Sequence, residues 1–532
     1  MTSGHIDRFI AEGLPPPQDQ PEFLFVGPAL RYPERFNCAV ELIDRAPRDD
    51  LALVNDSGEW TYGEMSDWSN RIARLLVERE GLVSGNRVLL RGPNTATMFA
   101  AWLGVLKGGG VVVATMPMLR GKEIATILDR AEVSHAIIDA RFAADFGEAC
   151  GRAARAPGTI SYDGDAAHGD LAGRIADIPP DFVACDTHRD DVALLAFTSG
   201  TTGQPKACVH FHRDVLACAD SFARHVLKPG PGDRWACSAP LAFTFGLGME
   251  LIFPWRFGGT AVTIETPGPA ALLNAIERHR VTVLGTAPTA YKAMIPLLAG
   301  REIASLKTCL SAGEHLPAAT WRAWHEATGL GIVDGIGATE MMHIFISAAG
   351  DDIRPGATGK VVPGYVATVL DDAGVALDSG VGRLAVKGPT GCRYFDDERQ
   401  ASYVENGWNV TGDTYRLDAD GYFWFVARSD DMIVSSGYNI AAPEVEGALY
   451  DHQAVEECAV IGAPDPERGQ IVKAFIVLAK GYGASDALVA ELQAHVKATV
   501  APYKYPRAIV FVDALPKTAT GKLQRFSLRD GR

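Results

Sequence analysis

Three features of the sequence predict an α/β fold with a large N-terminal domain of parallel-rich sheets covered by helices and a small α+β C-terminal domain. At 532 residues the chain exceeds the size at which a single hydrophobic core keeps growing, so at least two domains are expected. Over residues 1–429 helical and strand-like patterns alternate, as in layered α/β architecture. From residue 430 to 532 the pattern changes to a compact mixture of strands and two helices.

The elements follow in order. Met65, Trp68, Ile72 and Leu76 recur at helical spacing and give one apolar face. Residues 87–90 read as a buried strand, 95–107 as a helix, and 111–114 as the next strand after three glycines. The unit recurs as helix 124–131 before strand 136–138, and as helix 271–280 before strand 281–284. A mostly parallel sheet covered by helices accommodates all of them. In the C-terminal part, Pro443 starts a helix, 457–461 and 471–478 read as strands, 486–500 as a helix and 508–512 as a last strand.

Composition is that of an ordinary globular protein, 47% hydrophobic and 22% charged, and the net charge of -15 argues against a general nucleic-acid or anionic-membrane surface. Nine scattered cysteines without a C-x-x-C pair predict reduced thiols rather than a disulfide framework or a zinc site. The polar, proline-rich N-terminus lacks an apolar signal region, and no apolar run approaches membrane-spanning length. A cytoplasmic protein is the expectation.

The most informative stretch is Phe197 to Lys206, where Thr198, Ser199, Gly200, Thr201, Thr202 and Gly203 follow an apolar strand and Lys206 closes the loop. Hydroxyls, backbone N–H groups and a cation in that arrangement suit a polyphosphate. The spacing is not that of a Walker A loop, because Gln204 and Pro205 separate Gly203 from Lys206. Four further runs follow: Asp334-Gly335-Ile336-Gly337-Ala338-Thr339-Glu340, Thr411-Gly412-Asp413, Arg428-Ser429-Asp430-Asp431, and Pro516-Lys517-Thr518-Ala519-Thr520-Gly521-Lys522. In composition, order and separation the five resemble the core motifs of the adenylate-forming superfamily, which includes acyl-CoA synthetases, luciferases and peptide-synthetase adenylation domains.

That resemblance implies ATP, Mg2+ and coenzyme A as co-reactants, a mobile C-terminal domain, and a reaction in two steps. A carboxylate is a poor electrophile; adenylation at the α-phosphate converts it to an acyl-AMP, which a thiol then attacks. Both steps shift negative charge between oxygens, so cations and fixed N–H donors are the groups to look for. By the same resemblance Lys522 reaches the reacting carboxylate and α-phosphate, and Glu340, with Thr339 beside it, faces Mg2+ through oxygen ligands. Asp413, assisted by Arg428, accepts from the ribose hydroxyls. Asp334, Gly335 and Ile336 line the adenine, with Gly313 and Glu314 of Ser311-Ala312-Gly313-Glu314 on the opposite wall. Ile336 stands where the superfamily usually has an aromatic residue. Asp430 matches a hinge between domains 1–429 and 430–532, and Gly437 either lines the pantetheine tunnel or is an ordinary turn glycine.

The acyl-pocket motif falls on Pro240 to Gly248. Phe243 replaces a histidine found in many relatives, and Phe245 and Gly246 follow. The stretch from Asp334 to Phe345 resembles the benzoate-CoA ligase group, while residues 32–38 and 241–246 resemble its 2-aminobenzoate branch. This implies an aromatic carboxylic acid as substrate, enclosed by Phe243, Phe245, Ile336, Gly337 and His343. His343 has two readings: a hydrogen-bonding partner for an ortho substituent or the carboxylate, or a core histidine bonded to backbone. Benzoate itself, and delivery of the aryl group to a separate carrier-protein thiol, are the alternatives to 2-aminobenzoate and CoA. A non-catalytic nucleotide-binding module is disfavoured by the presence of Lys522, Glu340 and the 197–206 run. The resemblance also implies a possible homodimer.

Overall fold

The computed structural model describes residues 3–165, 169–198, 205–428, 431–435, 438–465, 468–500, 502–517 and 523–529. Two parallel-rich sheets dominate the large part of the chain. In the first, the strands run in the order Gly158–Tyr162, His135–Asp139, Arg87–Arg91, Val111–Thr115, Val192–Thr198 and Lys206–Phe211. All neighbours are parallel except the last two, which form a hairpin with Thr198 opposite Lys206.

The second sheet has nine strands. From Ile332–Gly337 through Thr308–Ser311, Val283–Thr286, Arg234–Cys237 and Thr260–Val262 to Leu51–Asn55 its neighbours are parallel, and antiparallel strands close both edges. The predicted mostly parallel sheet is therefore two sheets. A third, antiparallel sheet over Val366–Leu370, Gly380–Lys387, Trp408–Leu417 and Phe423–Arg428, with short edge strands, was not anticipated from the sequence.

Helix positions follow the periodicity closely. Tyr62–Arg74 carries Met65 and Ile72 on its buried face. Its start is fixed by a capping box in which the Thr61 hydroxyl accepts from the Glu64 N–H at 3.2 Å and the Glu64 carboxylate accepts from the Thr61 N–H at 2.8 Å. Ala96–Lys107 is buried at every position, as expected of a helix that is apolar on all sides. Thr95 caps it by accepting from the Met98 N–H. Lys107, at its end, has no exposed side-chain surface and donates to Asp44 and Asn70.

In the C-terminal part the Ala442–Tyr450 helix begins with a proline one position in. Antiparallel strands Val455–Asp465 and Gly469–Leu478 pair along most of their length, Ala508–Phe511 adds in parallel, and Asp486–Thr499 packs beside them. The expected boundary residue Asp430 lies outside the described residues. All nine cysteines are unbridged. Among the described residues no helix is long and apolar enough to cross a membrane.

The capping box supplies a stability test away from any site residue. Thr61→Ala removes one of its two hydrogen bonds and should lower stability by about 1 kcal/mol, read as a shift in the urea midpoint at constant slope.

Candidate active site

The hairpin of the first sheet delivers Thr198 and Lys206 to one end, on either side of the 199–204 connection. Ser199, Gly200, Thr201, Thr202 and Gly203 lie in that connection, outside the described residues. Arg130 anchors its exit by donating to the Pro205 carbonyl and, at 2.7 Å, to Asp397. Thr339 and Glu340 come from the second sheet, in a single turn of 3-10 helix after Ile332–Gly337.

The two sheets meet at Tyr394. Its hydroxyl donates to Oε1 of Glu340 at 2.5 Å and accepts from Nζ of Lys206 at 3.1 Å. The Lys206 ammonium also lies over the Tyr394 ring, 4.8 Å from its centroid, and 6.0 Å from that of Tyr403. Tyr394 and Tyr403 contact edge to face. Neither tyrosine stands out in the sequence, because an isolated tyrosine has no spacing signal.

Two more carboxylates converge on this end. Asp413 and Arg428 are cross-strand partners in the antiparallel sheet, with Oδ1 3.3 Å from Nε. Tyr403 feels the charges of both Glu340 and Asp413, and Tyr415 those of both Asp413 and Asp334; burial and these carboxylates push both phenols far up. Asp334 lies beside Ser311 in the parallel ladder. Its Oδ1 is sealed from solvent without a hydrogen-bond partner among the described residues, and burial pushes the carboxyl up to about 8. Gly313 follows Ser311 in a left-handed conformation at φ 91°. Ile336 is half-buried against the main core.

Among the described residues no group of three His, Cys, Asp or Glu side chains forms a metal cage. A single carboxylate at Glu340 suits Mg2+, which keeps several water ligands and takes others from substrate phosphates.

The apolar end centres on His343. Its ring stacks on Phe222 at 5.6 Å, meets Phe253 edge-on at 4.5 Å and lies 5.7 Å from Phe245. Nε2 sits 3.4 Å from the Phe245 carbonyl oxygen, so it donates there, and Nδ1 has no partner among the described residues. Burial pushes the imidazole down to about 3 and keeps it neutral at physiological pH. A Cβ on Gly248 would come within 2.3 Å of the imidazole, so glycine is required for His343 to sit there. A Cβ on Gly246 would meet the Ala239 and Pro240 carbonyl oxygens at 2.4 Å. Gly246 thus serves the backbone turn, while Gly337 packs on the His343 backbone.

Phe243 is half-buried at the start of the Thr244–Leu247 helix, and among the described residues no ring contact joins it to this cluster. Phe222 and Phe253, which the motifs did not mark, pack on the imidazole. Lys522, Gly437 and Asp430 lie outside the described residues. Glu314 is described, in the turn after Ser311.

Lys206 and Glu340 joined through Tyr394, the Asp413–Arg428 pair, the buried Asp334 and the aromatic cluster around His343 are the groups the described residues offer to a ligand. The chain belongs to the AMP-binding enzyme family, whose model matches residues 41–394, and the AMP-binding enzyme C-terminal domain matches residues 444–522. It is 38% identical over 513 residues to a benzoate–CoA ligase of Thauera aromatica, covering 94% of this chain and 97% of that one. Its fold matches the anthranilate CoA ligase AuaEII, solved in complex with anthranoyl-AMP, with a TM-score of 0.90 at 36% identity, over 95% of this chain and 99% of that one. A benzoate CoA ligase from Burkholderia xenovorans LB400 matches with a TM-score of 0.85 at 33% identity, over 93% and 100%. The protein is therefore an AMP-forming acid–thiol ligase of the benzoate-CoA ligase group.

Two tests follow from the geometry. Tyr394→Phe keeps the ring and removes the bridge between Lys206 and Glu340; kcat/KM for MgATP should fall roughly tenfold while KM for the aromatic acid stays constant. Asp334 is held above its usual range when folded, so its stabilising contribution is fully present below the unfolded pKa near 3.8 and is lost as pH rises towards about 8. The stability advantage of Asp334→Asn over the wild type should therefore widen between pH 5 and pH 8 in urea titrations. An unchanging difference would show that Asp334 is not the buried acid.

Proposed function

We propose that this ligase converts 2-aminobenzoate, or a closely related benzoate, to its CoA thioester through an aryl-AMP with release of pyrophosphate. The observation that carries the choice of acid is the neutral, ring-enclosed His343. With Nε2–H donating to the Phe245 carbonyl, Nδ1 is an acceptor sealed from solvent and unpartnered among the described residues, and an ortho amino group is a donor of matching chemistry. The surrounding Phe222, Phe245 and Phe253 suit a flat ring through offset or edge-on contacts. The likeness to an anthranilate CoA ligase of 36% identity supports the same reading.

In the reaction, Lys206 and the 198–203 run hold the pyrophosphate end of ATP, Asp413 and Arg428 orient the ribose, and Asp334 and Ile336 face the adenine. Glu340 would hold Mg2+, which when bound would supply charge neutralisation on the phosphates. Tyr394 keeps the Glu340 carboxylate and the Lys206 ammonium aligned so that neither reorganises at the moment of reaction. Lys522, by its place in the C-terminal motif, supplies the cation at the carboxylate and α-phosphate. Rotation about Asp430 then brings the Gly437 loop to the thiol path.

A series of ring-substituted benzoates scored by kcat/KM tests the proposal. 2-Aminobenzoate should exceed benzoate, and His343→Phe should reduce that preference by roughly tenfold, the worth of one hydrogen bond. Faster turnover of benzoate than of 2-aminobenzoate by the wild type would overturn the choice of acid and leave the aryl-CoA ligase class untouched.

A further inference from the structure

The Tyr394 phenol holds the Glu340 side chain, the Met342 N–H donates to the Thr339 carbonyl oxygen at 3.1 Å within the turn, and a third group reaches the same oxygen from outside it. His210, on the Lys206–Phe211 strand, places Nε2 2.7 Å from the Thr339 carbonyl oxygen. That oxygen can only accept, so Nε2 carries the proton. Nδ1 of the same ring lies 3.8 Å from Oδ2 of Asp214, beyond direct hydrogen bonding and within reach of its charge. Asp214 accepts from the Arg393 guanidinium at 2.7 Å and from the Phe211 N–H at 3.0 Å.

His210, Asp214 and Arg393 have no exposed side-chain surface. The Arg393 guanidinium is sandwiched between the rings of Phe23 and Phe211, 4.0 Å from each centroid. Burying an ion pair this deeply is no more stabilising than an apolar replacement of the same volume, so packing alone does not account for it. Its position does. Arg393 adjoins Tyr394: the phenol grips the Glu340 side chain, and the guanidinium acts through Asp214 and His210 on the backbone immediately before Glu340. The turn so held is tight, since Met342, two residues on, has a left-handed φ of 67°.

We propose that His210, backed by the Asp214–Arg393 pair, is a positioning residue for the ATP half-reaction, fixing the Thr339 carbonyl so that the Glu340 carboxylate faces the metal and phosphate end of the nucleotide. The inference rests on the reading of Glu340 as the carboxylate that faces Mg2+.

The test separates the two half-reactions. Adenylation is followed as pyrophosphate release from ATP, Mg2+ and benzoate or 2-aminobenzoate; thioester formation is followed from synthetic benzoyl-AMP and CoA. His210→Ala should lower kcat/KM for MgATP by roughly tenfold or more. KM for the acid and the thioester rate should stay within about twofold of wild type. Calorimetric affinity for a non-hydrolysable ATP analogue should fall with Mg2+ present and much less in EDTA. His210→Gln, whose amide can donate to the same carbonyl, should recover most of the loss.

Equal losses in both half-reactions, or an unchanged His210→Ala enzyme, would overturn the inference. If His210→Ala does not fold, the paired change Asp214→Asn with Arg393→Met, which leaves no lone buried charge, should show the same split, and an even loss there counts against it. Glu340→Ala is run in parallel. Normal pyrophosphate release by that variant would remove the Glu340 reading itself, whereas its loss beside an unaffected His210→Ala removes only the positioning role.

Discussion

Tyr394 joins a cation carried by one sheet to a carboxylate carried by another, and the geometry of the phosphate end depends on that hydroxyl. Lys206 begins the last strand of the first sheet, Glu340 follows the last parallel strand of the nine-stranded sheet, and Tyr394 lies in the connection between the Gly380–Lys387 and Trp408–Leu417 strands of the antiparallel sheet. A short hydrogen bond to an ionised acceptor is among the stronger ones a protein makes. Here it also fixes the separation of the Lys206 and Glu340 charges, which in the proposed reaction act on one polyphosphate. Preorganised charges of that kind cost no rearrangement as the reaction proceeds.

The three sheets divide the labour. The hairpin of the first presents Lys206, and the parallel ladder of the second brings Asp334 beside Ser311 and carries the chain to Glu340. The third contributes Asp413 and Arg428 as cross-strand partners. Ligands of open α/β sheets collect beyond the carboxyl ends of the strands, and Thr198, Ser311 and Gly337 all lie at such ends. The aromatic end is built differently. His343, Phe222, Phe245 and Phe253 come from a strand edge and from helical segments, and Gly248 makes room for the imidazole. One end of the arrangement is thus set by backbone topology and the other by side-chain packing.

Most regular elements were legible locally. Helices Tyr62–Arg74 and Ala96–Lys107 and strands such as Arg87–Arg91 show their periodicity within a few turns of chain, and their caps are encoded by single residues, Thr61 and Thr95. The antiparallel sheet over 366–428 was not, because its half-buried strands and short edges give only weak alternation. In the site, Lys206, Thr339, Glu340, Asp413 and Asp334 were readable from motifs. Tyr394, Tyr403, Tyr415, His210, Phe222 and Phe253 were invisible, since their role is created by neighbours far away in sequence; Tyr394 is 188 positions from Lys206. Phe243, marked by its motif as a pocket residue, is half-buried at the start of the Thr244–Leu247 helix.

The sequence by itself determined the class of chemistry, because the 197–206 run, the turn ending at Glu340 and the C-terminal lysine motif are each contiguous and each carry the family resemblance in a few adjacent residues. Only the tertiary structure decided how Lys206 and Glu340 are held and what surrounds His343. It joined Lys206 to Glu340 through a phenol, fixed the Thr339 carbonyl through a buried histidine, and neutralised His343 by enclosing it among three phenylalanines. The physical reason is the same in each case. Hydrogen-bond partners, burial and proton affinity belong to pairs of residues in space, and a linear chain states which residues exist without stating which ones meet.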